Sequence, residues 1–294
     1  EDNVSDDPTS KQFRADVASA HSDAERIVEL AQSPSGIPAA GAVSLKRNDP
    51  LMQGPRIFAS DCAVCHSYKG HDGTGAKMKD KPTAADLGHF GDRQWMEAIL
   101  TDYSKHFAPL KQASWYKDLK KKSDAGEDVE ADFLDIENSE MAGWSEDDGQ
   151  TLADPKNKAA LDALIEFLVA QSGRKDLKVD EKLAKSGESL AFDSSFGKLE
   201  LNSSCTDCHS DFEAWKPFTP HGKEDAAGYP DLTGYGSQAW LRDFIGNPGR
   251  AQHYGDKNQM PAFKRQLTEH QMNLLVRWMT GDYYMPKKKV GKGE

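Results

Sequence analysis

"CAVCH" at Cys62–His66 and "CTDCH" at Cys205–His209 together hold all four cysteines of this 294-residue chain. How the rest of the sequence is read turns on why every thiol sits in two copies of one five-residue pattern. Three uses of a doubled C-x-x-C compete. A disulfide framework belongs to short secreted chains dense in cysteine, and four cysteines in 294 residues are sparse. A structural zinc site usually sets its two pairs about 15–20 residues apart, whereas 139 residues separate Cys65 from Cys205. A thioredoxin-like redox pair explains neither the duplication nor the histidine that follows each pair.

That histidine is the deciding residue, because C-x-x-C-H is the attachment signature of c-type haem. On one helical turn, thiols at i and i+3 can each bond a vinyl group of one porphyrin. The histidine at i+4 lies on the same face and reaches the iron. The expectation is therefore two covalently bound haem c groups, one on Cys62, Cys65 and His66, the other on Cys205, Cys208 and His209.

Composition bounds the partners. The net charge is −11, which disfavours nucleic acid, whose phosphates call for Lys and Arg, and favours basic protein partners. No run of about 18 apolar residues is present, so any membrane association is expected through a partner or through an anchor outside this sequence. The chain begins "EDNVSDDPTS" without an initiator Met, which reads as a mature or excised end. Maturation of c-type haem then implies a periplasmic or equivalent extracytoplasmic compartment.

If there are two haems, the sequence is expected to repeat, and it does. Gly54, Phe58 and Cys62 match Gly197, Leu201 and Cys205 in steps of four, a spacing that keeps one helical face. "DLGHFGDRQWMEAIL" (Asp86–Leu100) matches "DLTGYGSQAWLRDFI" (Asp231–Ile245), which aligns Trp95 with Trp240. "MAGW" at Met141 matches "MPAF" at Met260. Each unit closes with an amphipathic helix. Leu161, Leu164, Ile165, Leu168 and Val169 form the first stripe, between Asp154-Pro155 and Gly173. Met272, Leu275, Val276 and Met279 form the second, behind a Thr268/Gln271 capping box. Phe167 and Trp278 are equivalent there.

The chain thus reads as all-α, with few or no strands, in two tandem units. Residues 1–45 form an arm or linker, residues 46–174 the first unit, and residues 175–294 the second, with a linker and a basic tail. "GRKDLKVDEKLAKSGES" (Gly173–Ser189) reads as a solvated connection. The arm either packs on the body, links to something missing, or is a disordered tail.

The order helix, C-x-x-C-H, loop, Trp-bearing short helix, Met loop and terminal helix resembles class I cytochrome c, in both repeats. The resemblance implies that the first and last helices of each unit cross, Gly54 and Phe58 near Phe167, and Gly197 and Leu201 near Trp278. It implies His66 and His209 as proximal ligands, with a methionine sulfur opposite: Met141 with His66, and Met260, in "NQMPAF", with His209. Met/His ligation is an established pairing, although a lone Met is more often core filler. Met141 is followed by Ala142 in place of proline and preceded by a long insertion, Asp102–Glu140, so His106 or His71 remains an alternative ligand. Met78 and Met96 read as packing, and His89, His221, His253 and His270 as surface or loop residues. The resemblance also implies that the indoles of Trp95 and Trp240 donate to haem propionates, and that the Pro230 carbonyl holds the proximal histidine. Ala85 stands at the equivalent place in the first unit, where either it or Pro82 fills the role.

A narrower similarity, carried by "GIPAAGAVSLKRNDPLMQGPRIFASDCAVCHSYKGHDGTG", "FGDRQW" and "YGDKNQMPAF…LLVRWMTGDYY", is to the two-haem c module of planctomycete-type cytochrome bc complexes. It implies an electron carrier rather than an enzyme, one that accepts electrons from a Rieske protein beside cytochrome b and passes them to a soluble carrier. A free two-haem shuttle and a two-haem peroxidase are the other readings. Charge separates the two ligand loops. Ser123–Asp148 holds eleven Asp or Glu and no Lys or Arg, while Asn247–Gln266 holds Arg250, Lys257, Lys264 and Arg265 against Asp256. The expectation is that the first haem meets a basic partner, such as a Lys-rich cytochrome c.

Overall fold

The computed structural model describes residues 7–127, 129, 139–220 and 229–286. Residues 128 and 130–138 of the acidic insertion, His221 and the basic C-terminal tail lie outside the described residues. The first described segment is helix α1, Pro8–Ala31. Asp7 caps it by accepting from the amides of Thr9 and Ser10. Its first half is exposed, but its last turns dock on the body. Arg26 is 7% exposed and pairs with the buried Asp49 at 2.8 Å. It also donates to the Tyr284 carbonyl. Asp23 pairs with both Lys46 and Arg56. The arm therefore packs on the body. Its boundary at residue 45 falls inside helix α2, Ala42–Asn48.

Helix α3, Pro50–Ile57, starts with proline at its first position, where the missing N–H costs nothing. It runs straight into a π-helical turn at Phe58–Cys62 that carries the first motif. After the motif loop come α4, Arg93–Thr101, capped by Asp92, two helices of the insertion, α5 (Tyr103–His106) and α6 (Ser114–Asp124), and then α7 (Glu140–Trp144), which carries Met141. Short α8, Gln150–Ala153, leads to α9, Lys158–Gln171, the apolar terminal helix expected of the first unit.

The expected solvated connection is half helix. Helix α10 spans Glu181–Asp193, with Ala184, Gly187, Leu190 and Ala191 buried on one face. Its Lys and Glu residues occupy the other faces and disguise it. Ser194 ends it in the left-handed region. An antiparallel hairpin follows, β1 (Ser195–Phe196) and β2 (Leu199–Glu200). The expected helical match of Gly197 to Gly54 therefore fails, because Gly197 is the hairpin's turn residue at φ +63°. Helix α11, Gln238–Gly246, is capped by Ser237. Helix α12, Glu269–Met279, opens with the Thr268/Gln271 capping box in both directions. Among the described residues no helix is long and apolar enough to cross a membrane.

The helix crossings differ from expectation. A β-carbon on Gly54 would sit 2.2 Å from the Trp278 β-carbon, so α3 is pressed onto α12 of the other repeat. A β-carbon on Gly187 would sit 2.1 Å from the Ala163 carbonyl oxygen, so α10 is pressed onto α9. Each first helix thus crosses the last helix of the opposite repeat, and Gly187, not Gly197, is the counterpart of Gly54. The cause is local. Only residues 172–180 join α9 to α10, and a connection that short favours packing of consecutive helices on each other.

The two repeats meet at equivalent residues. Gly91 and Gly236, at φ +70° and +75°, lie against each other; a β-carbon on Gly91 would be 3.6 Å from the Gly236 α-carbon. Around them Phe90 contacts Trp95 at 4.8 Å between ring centres and Tyr235 contacts Trp240 at 4.7 Å. Across the seam, Phe90 approaches Trp240 at 6.0 Å, and Trp95 donates to the Tyr235 hydroxyl at 3.0 Å. This is the reciprocal contact of a two-fold arrangement, and one apolar core runs through both repeats.

Candidate functional site

The first motif is built by a helix end and one loop. The amide of His66 donates to the Cys62 carbonyl at 2.9 Å, which keeps both residues on one turn. The Cys65 carbonyl accepts from Thr83 and Ala84. His66 Nδ1 donates to the Ala85 carbonyl at 2.8 Å, so Ala85 and not Pro82 fills that role. Asp86 then ties the loop, accepting from Ser67, Lys69, Gly70 and Gly88. Burial alone would raise its pKa, but those hydrogen bonds together hold it below the usual carboxylate range.

The second motif repeats this design on different scaffolding. Ser204 and Asp207 form a reciprocal capping box around the turn Cys205–Asp207. The amide of His209 donates to the Cys205 carbonyl at 2.8 Å. His209 Nδ1 donates to the Pro230 carbonyl at 2.7 Å, as expected of that proline. Asp231 follows Pro230 as Asp86 follows Ala85.

A carbonyl can only accept, so each bond places the proton on Nδ1 and leaves the lone pair on Nε2. Burial pushes the pKa of both histidines below the ordinary value, which keeps them neutral near pH 7. Cys62, Cys65 and Cys205 are half-buried and Cys208 is exposed, and none is in a disulfide. Burial pushes the Cys62 and Cys205 thiols up to about 12. Two free thiols and one imidazole whose Nδ1 is engaged by a main-chain carbonyl, close together in the chain, fit the attachment of one haem c at each motif. Among the described residues no three metal-ligating side chains converge.

Other expected site residues are placed differently. The Trp95 indole donates to Tyr235 and the Trp240 indole to the Asp231 carbonyl at 3.0 Å. Both N–H groups are thus engaged within the protein rather than offered to a propionate. Met141 lies half-buried in α7, a helix capped by Ser139 rather than a loop. The segment around it docks on the second motif. Trp144 Nε1 donates to the Ser203 carbonyl at 3.4 Å. The buried Asp148 accepts from the Asn202 amide and side chain at 2.9 Å and from the Ser203 amide at 3.2 Å. Burial raises the pKa of Cys208, and the charges of Glu140 and Asp207 add to it. The expected pairing of Met141 with His66 is therefore not what the packing brings together. Met260 is half-buried ahead of α12, its amide and carbonyl both bonded to the Asn258 side chain.

His71 holds a turn by accepting from Gly73 and Gly75. His106 stands edge-on to Trp95 at 4.4 Å, with its Nε2 buried and unpartnered. His253, expected in a surface or loop position, lies in a turn but is fully buried; it stands edge-on to Trp240 at 5.1 Å and bonds Asp243 through Nε2. The "HF" at His106 and "HY" at His253 follow equivalent helices, so the repeated Trp–His pair has a signal in the sequence.

The chain matched no family model, no curated protein and no solved structure when compared with each.

Proposed function

We propose that this chain is a dihaem c-type cytochrome that relays electrons, the c-type subunit or domain of a quinol-oxidising complex of the cytochrome bc kind. The observation that carries the reading is the duplicated C-x-x-C-H turn whose histidine, in each copy, gives its Nδ1 proton to a main-chain carbonyl and keeps Nε2 for a metal. When bound, haem c supplies one-electron chemistry at iron. The chain's own residues do the remaining work. The cysteines tether, His66 and His209 ligate with their rings fixed by Ala85 and Pro230, and Met141 and Met260 are the candidate sulfur ligands.

Electrons would enter from a Rieske protein beside cytochrome b and leave to a basic soluble cytochrome c, outside the cytoplasm. Electron relay is preferred to peroxidase chemistry because both repeats carry a methionine ahead of the terminal helix, and filled sixth positions leave no site for peroxide. Voltammetry tests this reading. Two reversible one-electron waves from low-spin haems, without peroxide turnover, are expected. A high-spin resting haem that turns over peroxide would overturn it.

A further inference from the structure

On the dihaem reading, we propose that the two repeats exchange their sixth ligands: Met141 of the first repeat serves the iron held by His209, and Met260 of the second serves the iron held by His66. Three independent features meet here. The chain from Met141 to the end of α9 reaches the second motif at two places, while Ser145, Gly149 and Gln150 rest on Tyr103, Leu100 and Thr101 of the first repeat. Trp144 and Asp148 bind residues 202 and 203, next to Cys205. Phe167 of α9 packs against Phe192 and Phe212, which flank that motif, at 6.2 and 5.8 Å. Gly187 of α10 is in direct contact with α9.

For the terminal helix, the mirror arrangement holds at the other end. Trp278 of α12 stacks on Tyr68 at 4.4 Å and meets Phe58 edge-on at 5.7 Å, and these two residues flank the first motif. Gly54 of α3 is pressed beneath Trp278. The third feature is the seam. Equivalent residues Gly91 and Gly236 touch, and a two-fold relation requires that whatever Met141 is to the second motif, Met260 is to the first. The terminal helices cross between the repeats, so each motif is flanked by the terminal helix of the other repeat.

The exchange also relocates the acidic face. Glu140, Glu146 and Asp147 are exposed on the segment docked at the second motif. The surface offered to a basic partner therefore belongs to the second haem rather than to the first, as sequence order suggested.

The test uses two single-haem proteins, Cys62→Ala/Cys65→Ala and Cys205→Ala/Cys208→Ala, each combined with Met141→Ala or Met260→Ala. The sulfur-to-iron charge-transfer band of the oxidised protein is read. With only the second motif loaded, Met141→Ala is expected to abolish the band and Met260→Ala to leave it. With only the first loaded, the roles reverse. A band that follows sequence order, Met141 with the first motif, overturns the exchange while leaving the dihaem reading intact. Chains that attach no haem would instead overturn the dihaem reading. If the single-haem chains fold poorly, the intact protein serves. Its Met141 methyl protons are expected to show nuclear Overhauser contacts to protons of Ser203 and Cys208, and contacts to Cys65 or His66 instead would overturn the proposal.

Discussion

Gly54 lies against Trp278, 224 positions along the chain by number, so closely that a β-carbon on the glycine would stand 2.2 Å from the tryptophan's own. The same notch in α10, Gly187, receives the Ala163 backbone. These contacts define which helix pairs with which, and mutation can read them. Gly54→Ala overpacks that crossing and is expected to destabilise by about 1–3 kcal/mol. In a double-mutant cycle it couples with Trp278→Gly, and it adds independently with Phe167→Ala. Denaturant midpoints of the four proteins check this. Coupling to Phe167 in place of Trp278 would restore the crossing within each repeat.

Arg26 and Asp49 form an ion pair in which both residues are under 8% exposed. It joins the arm to the start of α3. Arg26→Met leaves the Asp49 carboxylate buried without its cation, at an expected cost of about 3–5 kcal/mol. Replacing both, as Arg26→Met/Asp49→Leu, is expected to recover most of the loss. Thermal unfolding of the three proteins distinguishes this from an arm that contributes nothing.

Much of this was legible before any coordinates. The cysteine motifs and the capping box at Thr268 are local patterns, and local patterns survive folding. The crossing of helices was not legible, because the apolar stripes of α9 and α12 suit either glycine-notched partner. The eight-residue spacing of Gly197 to Cys205 copied that of Gly54 to Cys62 and hid Gly187, which a ten-residue insertion carrying the hairpin had displaced. Helix α10 escaped because Lys and Glu cover three of its faces, although Ala184, Gly187, Leu190 and Ala191 keep helical spacing. The propionate role of the Trp indoles rests on resemblance alone, and their N–H groups have acceptors within the protein, Tyr235 across the seam for Trp95 and the Asp231 carbonyl of the same repeat for Trp240.

The thiols make the polypeptide sensitive to alkali before attachment. Burial raises the Cys62 and Cys205 thiols from 9.0 to about 12 in the folded chain. Above pH 9 the unfolded chain releases these protons while the folded chain keeps them. Stability is therefore full below that value and falls as pH rises toward about 12. Cys62→Ala/Cys205→Ala is expected to flatten the loss between about pH 9 and about pH 12, measured by urea midpoints of the haem-free protein. An unchanged slope would place the thiols in water.

Charge at the second site predicts a kinetic signature. Reversing Glu140, Glu146 and Asp147 to Lys is expected to slow electron transfer to a basic cytochrome c at low salt, through the encounter rate. The defect fades as salt passes about 0.15 M, where the Debye length is about 8 Å. Stopped-flow traces at the second haem's wavelength shift report it, and equal rates at low salt would return these acids to an inert surface.

The central claim is that both C-x-x-C-H turns carry covalent haem, and the intact mass of the denatured protein, matured in an extracytoplasmic haem-attachment system, tests it most directly. The account predicts the polypeptide mass plus two haems, reduced to one by Cys62→Ala/Cys65→Ala or by Cys205→Ala/Cys208→Ala. The mass of the bare chain, or of the chain with zinc under native conditions, would contradict it.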